Sequence, residues 1–204
     1  QRADVVTHRS PHAQLSSAQR HHPGGFGDQQ LIWIAGLPGD VNVYGTHPAQ
    51  PMFNGAQRNF SPSAWVGNGV LPDVAQHGPS LLAVYDTTPR RGYLERGRRH
   101  KSHVFVPHDR LDAVRFHDHL VVGRSAGGYI AVLGAGPLQR NGDAYVQHGR
   151  RTAWAVLVSG EHDMSFPAFT ELAEASRLGL TGGIATLEHD GQELQLVHGG
   201  DFTV

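Results

Sequence analysis

Short apolar runs recur through the second half of the chain at intervals of about 8 to 12 residues, and Gly, Asp or Asn separate them. This spacing is typical of β-sandwiches and β-barrels. Asp190-Gly191, between two such runs, is a strong hairpin turn sequence. The runs cover residues 104–106, 113–116, 120–122, 129–133, 153–158, 184–187 and 194–197. We therefore predict an all-β fold built as an antiparallel β-sandwich.

The first half of the chain carries weaker strand patterns. We predict strands over residues 13–20, 31–35, 41–46 and 81–85. The chain of 204 residues contains 26 Gly and 12 Pro, which favours many turns over long helices. Residues 1–12 are polar and without a clear period, so we interpret them as a linker left from an upstream region. Residues 13–204 then form the sandwich domain of a larger protein.

One short helix is predicted over residues 165–177. Ser165 is a suitable N-terminal cap, and Pro167 falls in the first turn, where its missing N–H costs nothing. Phe166 and Phe169 share one face of the helix. We expect Gly179 to end the helix, and the helix to cross a sheet edge.

The charge balance argues against two classes of partner. Lys and Arg number 17 and Asp and Glu number 18, so no overall basic field attracts nucleic acid or a membrane surface. The absence of Cys excludes disulfides and thiolate sites and leaves the compartment open between secreted, periplasmic and cytoplasmic. Residues 88–101 hold six basic residues and one Glu. This segment is either a solvated loop or a site for an acidic polymer.

Gly123-Arg124-Ser125-Ala126-Gly127 matches the G-x-S-x-G nucleophile elbow of α/β-hydrolases, which would make Ser125 a nucleophile. That elbow requires a helix directly after it. The following residues are rich in Gly and β-branched side chains, which are poor helix formers. We therefore interpret the motif as a hairpin turn and keep a serine hydrolase as the less favoured alternative.

Two of the 15 histidines stand next to predicted strands, where their geometry would be fixed. His47 follows one strand and His103 begins another. They are candidate metal ligands, since neutral imidazole suits zinc. The alternative is a buried hydrogen-bond network that fixes the strands.

Residues 59–86 combine turn chemistry with an aromatic side chain. Trp65 precedes a Gly67-Asn68-Gly69 turn, and Gln76 stands before a strand. Trp65 is either a core residue or a platform that stacks on a sugar or a partner domain.

Six separated motifs together resemble the C-terminal β-sandwich region of heparinase II/III-like polysaccharide lyases, and in particular an uncharacterised bacterial branch. They run in order over roughly residues 13 to 160. The motifs are Leu15-Ser-Ser-Ala-Gln, Gly27-Asp-Gln-Gln-Leu-Ile-Trp33, Thr46-His47-Pro48, Trp65-x-Gly67-Asn-Gly69-x-Leu-Pro72-x-x-x-Gln76, Ser102-His103-x-Phe-x-Pro107 and Gly123-Arg-x-x-Gly127-Gly-Tyr-Ile-Ala131.

The resemblance implies a supersandwich-like domain that follows an (α/α) toroid domain in the same chain. It also implies β-elimination on acidic polysaccharides, in which a Tyr or His base removes the C5 proton of a uronic acid. Relatives hold a zinc ion in the sandwich, near an H-x-H-A-D type segment. That segment falls here at Asp28-Gln29-Gln30-Leu31-Ile32, where no histidine stands.

The resemblance assigns His47 and His103 as metal ligands, with Gln30 as a weaker third donor, and implies zinc as the cofactor. Gln30, Trp65 and Asn68 are assigned to substrate binding at the interface with the toroid. It assigns no catalytic residue to these 204 residues, and the fragment alone is expected to be inactive. A non-catalytic carbohydrate-binding or structural module remains the alternative.

Overall fold

The computed structural model describes residues 4–27, 30–48, 68–88 and 100–204. These residues form one α-helix and 17 strands. The strands of the first half are β1 (Asp4–Arg9), β2 (Gln14–Gln19), β3 (Trp33–Leu37), β4 (Val41–Thr46), β5 (Asp73–His77), β6 (Ser80–Asp86), β7 (Lys101–Phe105), β8 (Ala113–His117) and β9 (Leu120–Ser125). The second half contributes β10 (Gly128–Gly134), β11 (Leu138–Asn141), β12 (Ala144–His148), β13 (Arg151–Gly160), helix α1 (Phe166–Ala175), β14 (Arg177–Thr181), β15 (Ile184–His189), β16 (Gln192–Val197) and β17 (Phe202–Thr203).

The strands form three antiparallel sheets. The front sheet has the order β1-β2-β3-β4-β7-β12-β11, and the middle sheet has the order β5-β6-β13-β10-β9-β8. The back sheet is β14-β15-β16-β17. The predicted all-β, antiparallel, sandwich-like fold with one short helix is therefore confirmed.

The middle sheet is covered on both faces. Every residue of β6 and of β10 is buried, as expected for strands with apolar side chains on both sides of the sheet. One core cluster, which includes Trp33 and Trp154, fills the space between the front and middle sheets. A second cluster, which includes Phe169 and Leu187, fills the space between the middle sheet and the layer made by α1 and the back sheet.

The prediction of a linker over residues 1–12 is wrong for β1. Asp4–Arg9 pairs along its whole length with β2 at the edge of the front sheet. This edge strand is largely exposed, so it carries no apolar alternation that its sequence could reveal.

Helix α1 confirms the Ser165 cap, whose hydroxyl accepts a hydrogen bond from the Ala168 N–H at 3.3 Å. The helix ends at Ala175, before Gly179, which lies inside β14. It packs over β9, β10 and β13 of the middle sheet. The expected end at Gly179 and the expected crossing of a sheet edge are therefore wrong. No helix in the described part of the chain is long and apolar enough to span a membrane.

Candidate functional site

Asn68 lies at the meeting point of three chain segments. Its side chain is completely buried. Its Oδ1 accepts a hydrogen bond from the His47 backbone N–H at 2.8 Å, and its Nδ2 donates to the Gln30 carbonyl at 2.8 Å. Its backbone forms an antiparallel bridge with Gly27. We name this arrangement of Gly27, Gln30, His47 and Asn68 the Asn68 junction.

A close backbone approach builds one side of the junction. Leu71 N–H donates to the Gly25 carbonyl at 2.7 Å, and Gly24 N–H donates to the Leu71 carbonyl at 2.8 Å. A Cβ atom at Gly27 would collide with the Leu71 side chain and lie 3.1 Å from Gln30 Oε1. The absence of a side chain at Gly27 leaves room for the Leu71 side chain at this close approach.

His47, a member of the junction, and His103, which lies next to it, are both buried. The His47 carbonyl accepts a hydrogen bond from the Gly69 N–H at 3.0 Å. His103 is 4% exposed, and its Nε2 lies 2.6 Å from the Thr46 hydroxyl oxygen. The contact of the His103 side chain and those of the His47 backbone are therefore of the kind expected for the hydrogen-bond network that the sequence left open as an alternative.

Strand alternation places His103 on the outer face of the front sheet. In β7, the neighbouring Ser102 faces the core, because its hydroxyl accepts a hydrogen bond from Trp154 Nε1 at 2.7 Å. Successive side chains of a strand point to opposite faces, so His103 lies on the other side. There it faces Thr46, its register partner in β4.

A second hydrogen-bond network surrounds Gln76. The Ser17 hydroxyl donates to Gln76 Oε1 at 2.8 Å, and Gln76 Nε2 donates to the carbonyls of Leu15 and Gly78, both at 3.0 Å. Gln19 Nε2 donates to the Gln76 carbonyl at 3.4 Å. The Leu15-Ser-Ser-Ala-Gln motif and Gln76 are thus partners across the two sheets.

The structure brings together four of the five residues assigned to the site from the sequence. Gln30, His47 and Asn68 meet at the junction, and His103 joins them through Thr46, the residue before His47. Gln30 itself is exposed, and its Oε1 lies 3.2 Å from His21 Nε2. Trp65 lies outside the described residues, as do the five arginines of the basic segment.

Two of the three donors predicted for a zinc site, Gln30 and His103, make other contacts in the structure. His103 Nε2 is engaged with Thr46, and the Gln30 side chain contacts His21. Within the described ranges, no group of three or more His, Asp or Glu side chains is placed to hold a metal ion. Zinc at His47 and His103 stays a prediction from the resemblance, and elemental analysis of the purified protein tests it.

Ser125 lies in a β-hairpin, which confirms the interpretation of the G-x-S-x-G match as a turn. β9 ends at Ser125, Ala126 and Gly127 adopt positive φ angles of 41° and 83°, and β10 begins at Gly128. Ser125 is 4% exposed, and its hydroxyl donates to the Pro38 carbonyl at 2.8 Å. Strand therefore follows this turn, in the place where a nucleophile elbow has a helix.

An ionic contact that no sequence pattern indicated lies next to the basic segment. Arg151 Nε donates to Asp86 Oδ2 at 2.8 Å, and the Thr88 N–H donates to Asp86 Oδ1 at 2.8 Å. Burial alone would raise the pKa of Asp86, but the hydrogen bonds from Thr88 and Arg151 outweigh it and lower that pKa. The partners are 65 residues apart, so no local pattern predicts the pair.

This lowered pKa predicts a pH dependence of stability. Ionised Asp86 stabilises the fold above the pKa of an unfolded Asp, about 3.9, and that contribution is lost as the pH falls through the lower pKa of the folded state. We expect Asp86→Asn to lose stability at pH 6 and to approach the parent protein near pH 2. Urea denaturation across this range measures the difference. Asp201→Asn, at an exposed position, is the control and should keep the pH dependence of the parent protein. If Asp86→Asn also kept that pH dependence, the stability change would not come from Asp86.

In comparisons with known proteins, no family model, no curated protein and no solved structure matches this chain.

Proposed function

We propose that this chain is the C-terminal β-sandwich of a heparinase II/III-like polysaccharide lyase. In this proposal it forms one wall of a cleft for uronic-acid-containing glycans, and an upstream (α/α) toroid domain forms the other. One observation supports it most: motifs that are far apart in the sequence are partners in space. Four of the six meet at the Asn68 junction or at Gln76.

The reaction needs both a base and a rigid surface that holds the substrate, and the proposal assigns these two roles to different domains. Removal of the C5 proton of a uronic acid needs a positioned base, and the developing negative charge needs fixed hydrogen-bond donors or cations nearby. In the proposal, the toroid supplies the base. The sandwich supplies a rigid edge, whose side chains hold the sugar in place. Rigidity matters because a misplaced substrate loses most of the advantage of a positioned base.

The assigned residues would play different roles in such a wall. Asn68 is buried with both ends of its amide engaged, so it would position the backbone of His47 and Gln30 without contacting a sugar. Gln30 is exposed beside it, and its amide could hydrogen-bond a sugar hydroxyl or carboxylate. Trp65, three residues before Asn68, would stack on the sugar or on the toroid.

A second candidate is a non-catalytic carbohydrate-binding or structural module. It is favoured by the engagement of His103 Nε2 with the Thr46 hydroxyl at 2.6 Å, since a histidine held this way fixes strands. The two candidates share the fold and the junction and differ in whether the full-length protein makes a product.

Product formation by the full-length protein distinguishes the candidates. β-Elimination leaves an unsaturated uronide whose conjugated double bond absorbs ultraviolet light, so incubation with a panel of uronic-acid glycans gives a direct signal. We expect the full-length protein to release this product and residues 1–204 alone to release none. Saturable glycan binding without product in either protein would support the binding module and contradict the lyase.

A further inference from the structure

Two histidines that are 150 residues apart in the sequence lie with their Nδ1 atoms facing each other. His12 Nδ1 lies 3.4 Å from His162 Nδ1, and the two ring centroids are 5.5 Å apart. The other nitrogen of each ring lies near a carboxylate. His12 Nε2 is 3.6 Å from Glu161 Oε1, and His162 Nε2 is 3.2 Å from Asp163 Oδ1. We name these four side chains the His12–His162 pair and its carboxylates.

The nearby carboxylates favour one tautomer of each ring. An ionised carboxylate only accepts hydrogen bonds, so it favours a proton on the Nε2 atom that faces it. A neutral ring protonated at Nε2 has its lone pair on Nδ1. Both Nδ1 lone pairs then point into the same narrow space, and a positive charge between them would remove their repulsion.

The distance between the two Nδ1 atoms fits a metal ion. Zinc binds imidazole nitrogen at about 2.0 to 2.1 Å with tetrahedral angles, which places two such nitrogens about 3.3 to 3.4 Å apart. A metal-binding histidine also commonly donates its other N–H to a carboxylate, which fixes the ring and raises its basicity. Here each Nε2 atom lies close to a carboxylate oxygen, at 3.6 Å for His12 and 3.2 Å for His162, which are ion-pair distances.

Three glycines leave the space in which this group lies. Gly128 and Gly160 are register partners in β10 and β13. A Cβ atom at Gly160 would lie 2.9 Å from His162 Nδ1 and 3.0 Å from the His12 Cβ, and one at Gly128 would collide with the His12 carbonyl oxygen. A Cβ atom at Gly127 would lie 2.8 Å from the Glu161 carboxyl carbon. The hairpin glycines thus make room for Glu161 and the His12 backbone, and Gly160 in β13 makes room for the His162 ring.

We propose that His12 and His162 bind a divalent transition-metal ion such as Zn²⁺ through their Nδ1 atoms. Glu161 and Asp163 orient the two rings. The His12 side chain is 27% exposed and the His162 side chain is 33% exposed, so solvent reaches both rings. No group of three or more His, Asp or Glu ligands exists in the described ranges, so water molecules complete the coordination. The site is independent of the proposed lyase function and of His47 and His103.

Titration calorimetry with Zn²⁺ tests the site in protein that has been treated with a chelator. We expect a saturable site in the parent protein that is lost in both His12→Gln and His162→Gln. Asp163→Asn should weaken binding by about tenfold, as expected for loss of a carboxylate that orients a ligand. Because the chain has 15 histidines, His119→Gln serves as the matched control, since His119 also contacts a carboxylate, that of Asp118, at 3.1 Å.

The results separate this site from the others in the chain. Binding retained in His12→Gln and His162→Gln but lost in His103→Gln would overturn the proposal and support zinc at His47 and His103. Absence of saturable binding in the parent protein would also overturn it. Melting curves provide a second measurement, because Zn²⁺ should raise the melting temperature of the parent and of His119→Gln but not of His12→Gln or His162→Gln.

Discussion

Asn68→Ala is expected to destabilise the fold by about 2 to 4 kcal/mol, since a buried polar group left without its partner costs about 1 to 3 kcal/mol. The substitution removes the acceptor of the buried His47 N–H and the donor to the Gln30 carbonyl. It also leaves a small cavity at a completely buried position. Urea denaturation at neutral pH measures the change in the free energy of unfolding.

The matched control is Asn42→Ala. Asn42 lies in β4, the strand that leads to His47, but its side chain is exposed. Exposed substitutions of this kind usually change stability by less than about 0.5 kcal/mol. If Asn68→Ala were no more destabilising than Asn42→Ala, the junction would not be a structural element of the sandwich.

Gln76→Glu should have a comparable effect, and one that depends on pH. The Gln76 amide donates to the carbonyls of Leu15 and Gly78, and a carboxylate at this position would face both carbonyl oxygens with no proton to donate. Gln76 is only 6% exposed, so the charged form would be costly. We expect a loss of about 2 to 4 kcal/mol at pH 7, as for a buried acceptor pair left unsatisfied.

The sign of the pH dependence follows from the same contacts. The folded state would favour the protonated carboxyl, which keeps one donor, so its pKa would lie above that of an unfolded Glu. The variant therefore loses stability as the pH rises through the region between these two pKa values, and recovers part of it near pH 4. Gln192→Glu, at an exposed position in β16, is the control. A Gln76→Glu variant as stable as this control at pH 7 would contradict the network.

The sequence predicted the fold best where burial follows a simple pattern. β10 and β13 are apolar runs bounded by Gly and turn residues, and they form the centre of the middle sheet. β5 was missed because two of its buried residues are polar. Asp73 accepts a hydrogen bond from the Gly199 N–H at 2.7 Å, and Gln76 is satisfied by Ser17. Polar residues of this kind predict a loop, because the sequence does not show the distant partners that satisfy them in a strand.

The bounds of strand β3 were also predicted incorrectly from the sequence. Residues 31–35 were predicted as the strand, but the structure has β3 from Trp33 to Leu37, and Leu31 is 41% exposed. An apolar run does not show which of its residues reaches the core, because single exposed apolar residues are normal at protein surfaces.

The sequence indicated residues that lie near one another, but not the contacts between them, and their assigned roles stay predictions. The motif resemblance singled out Gln30, His47, Asn68 and His103, and these residues are neighbours. It did not show that Asn68 bonds to backbone groups or that His103 bonds to Thr46. The His12–His162 pair joins residues 150 positions apart, and no local signal could reveal that contact.

The most direct test of the proposed lyase wall is the rate of unsaturated product formation by the full-length protein carrying Gln30→Ala. Gln30 is exposed, so the variant should keep the parent melting temperature. Loss of a hydrogen bond to a charged substrate group is worth about 1.5 to 3 kcal/mol, so kcat/KM should fall by about tenfold or more. Gln192→Ala should leave it unchanged. Equal rates for Gln30→Ala and Gln192→Ala, or no product from the parent protein, would contradict the proposal.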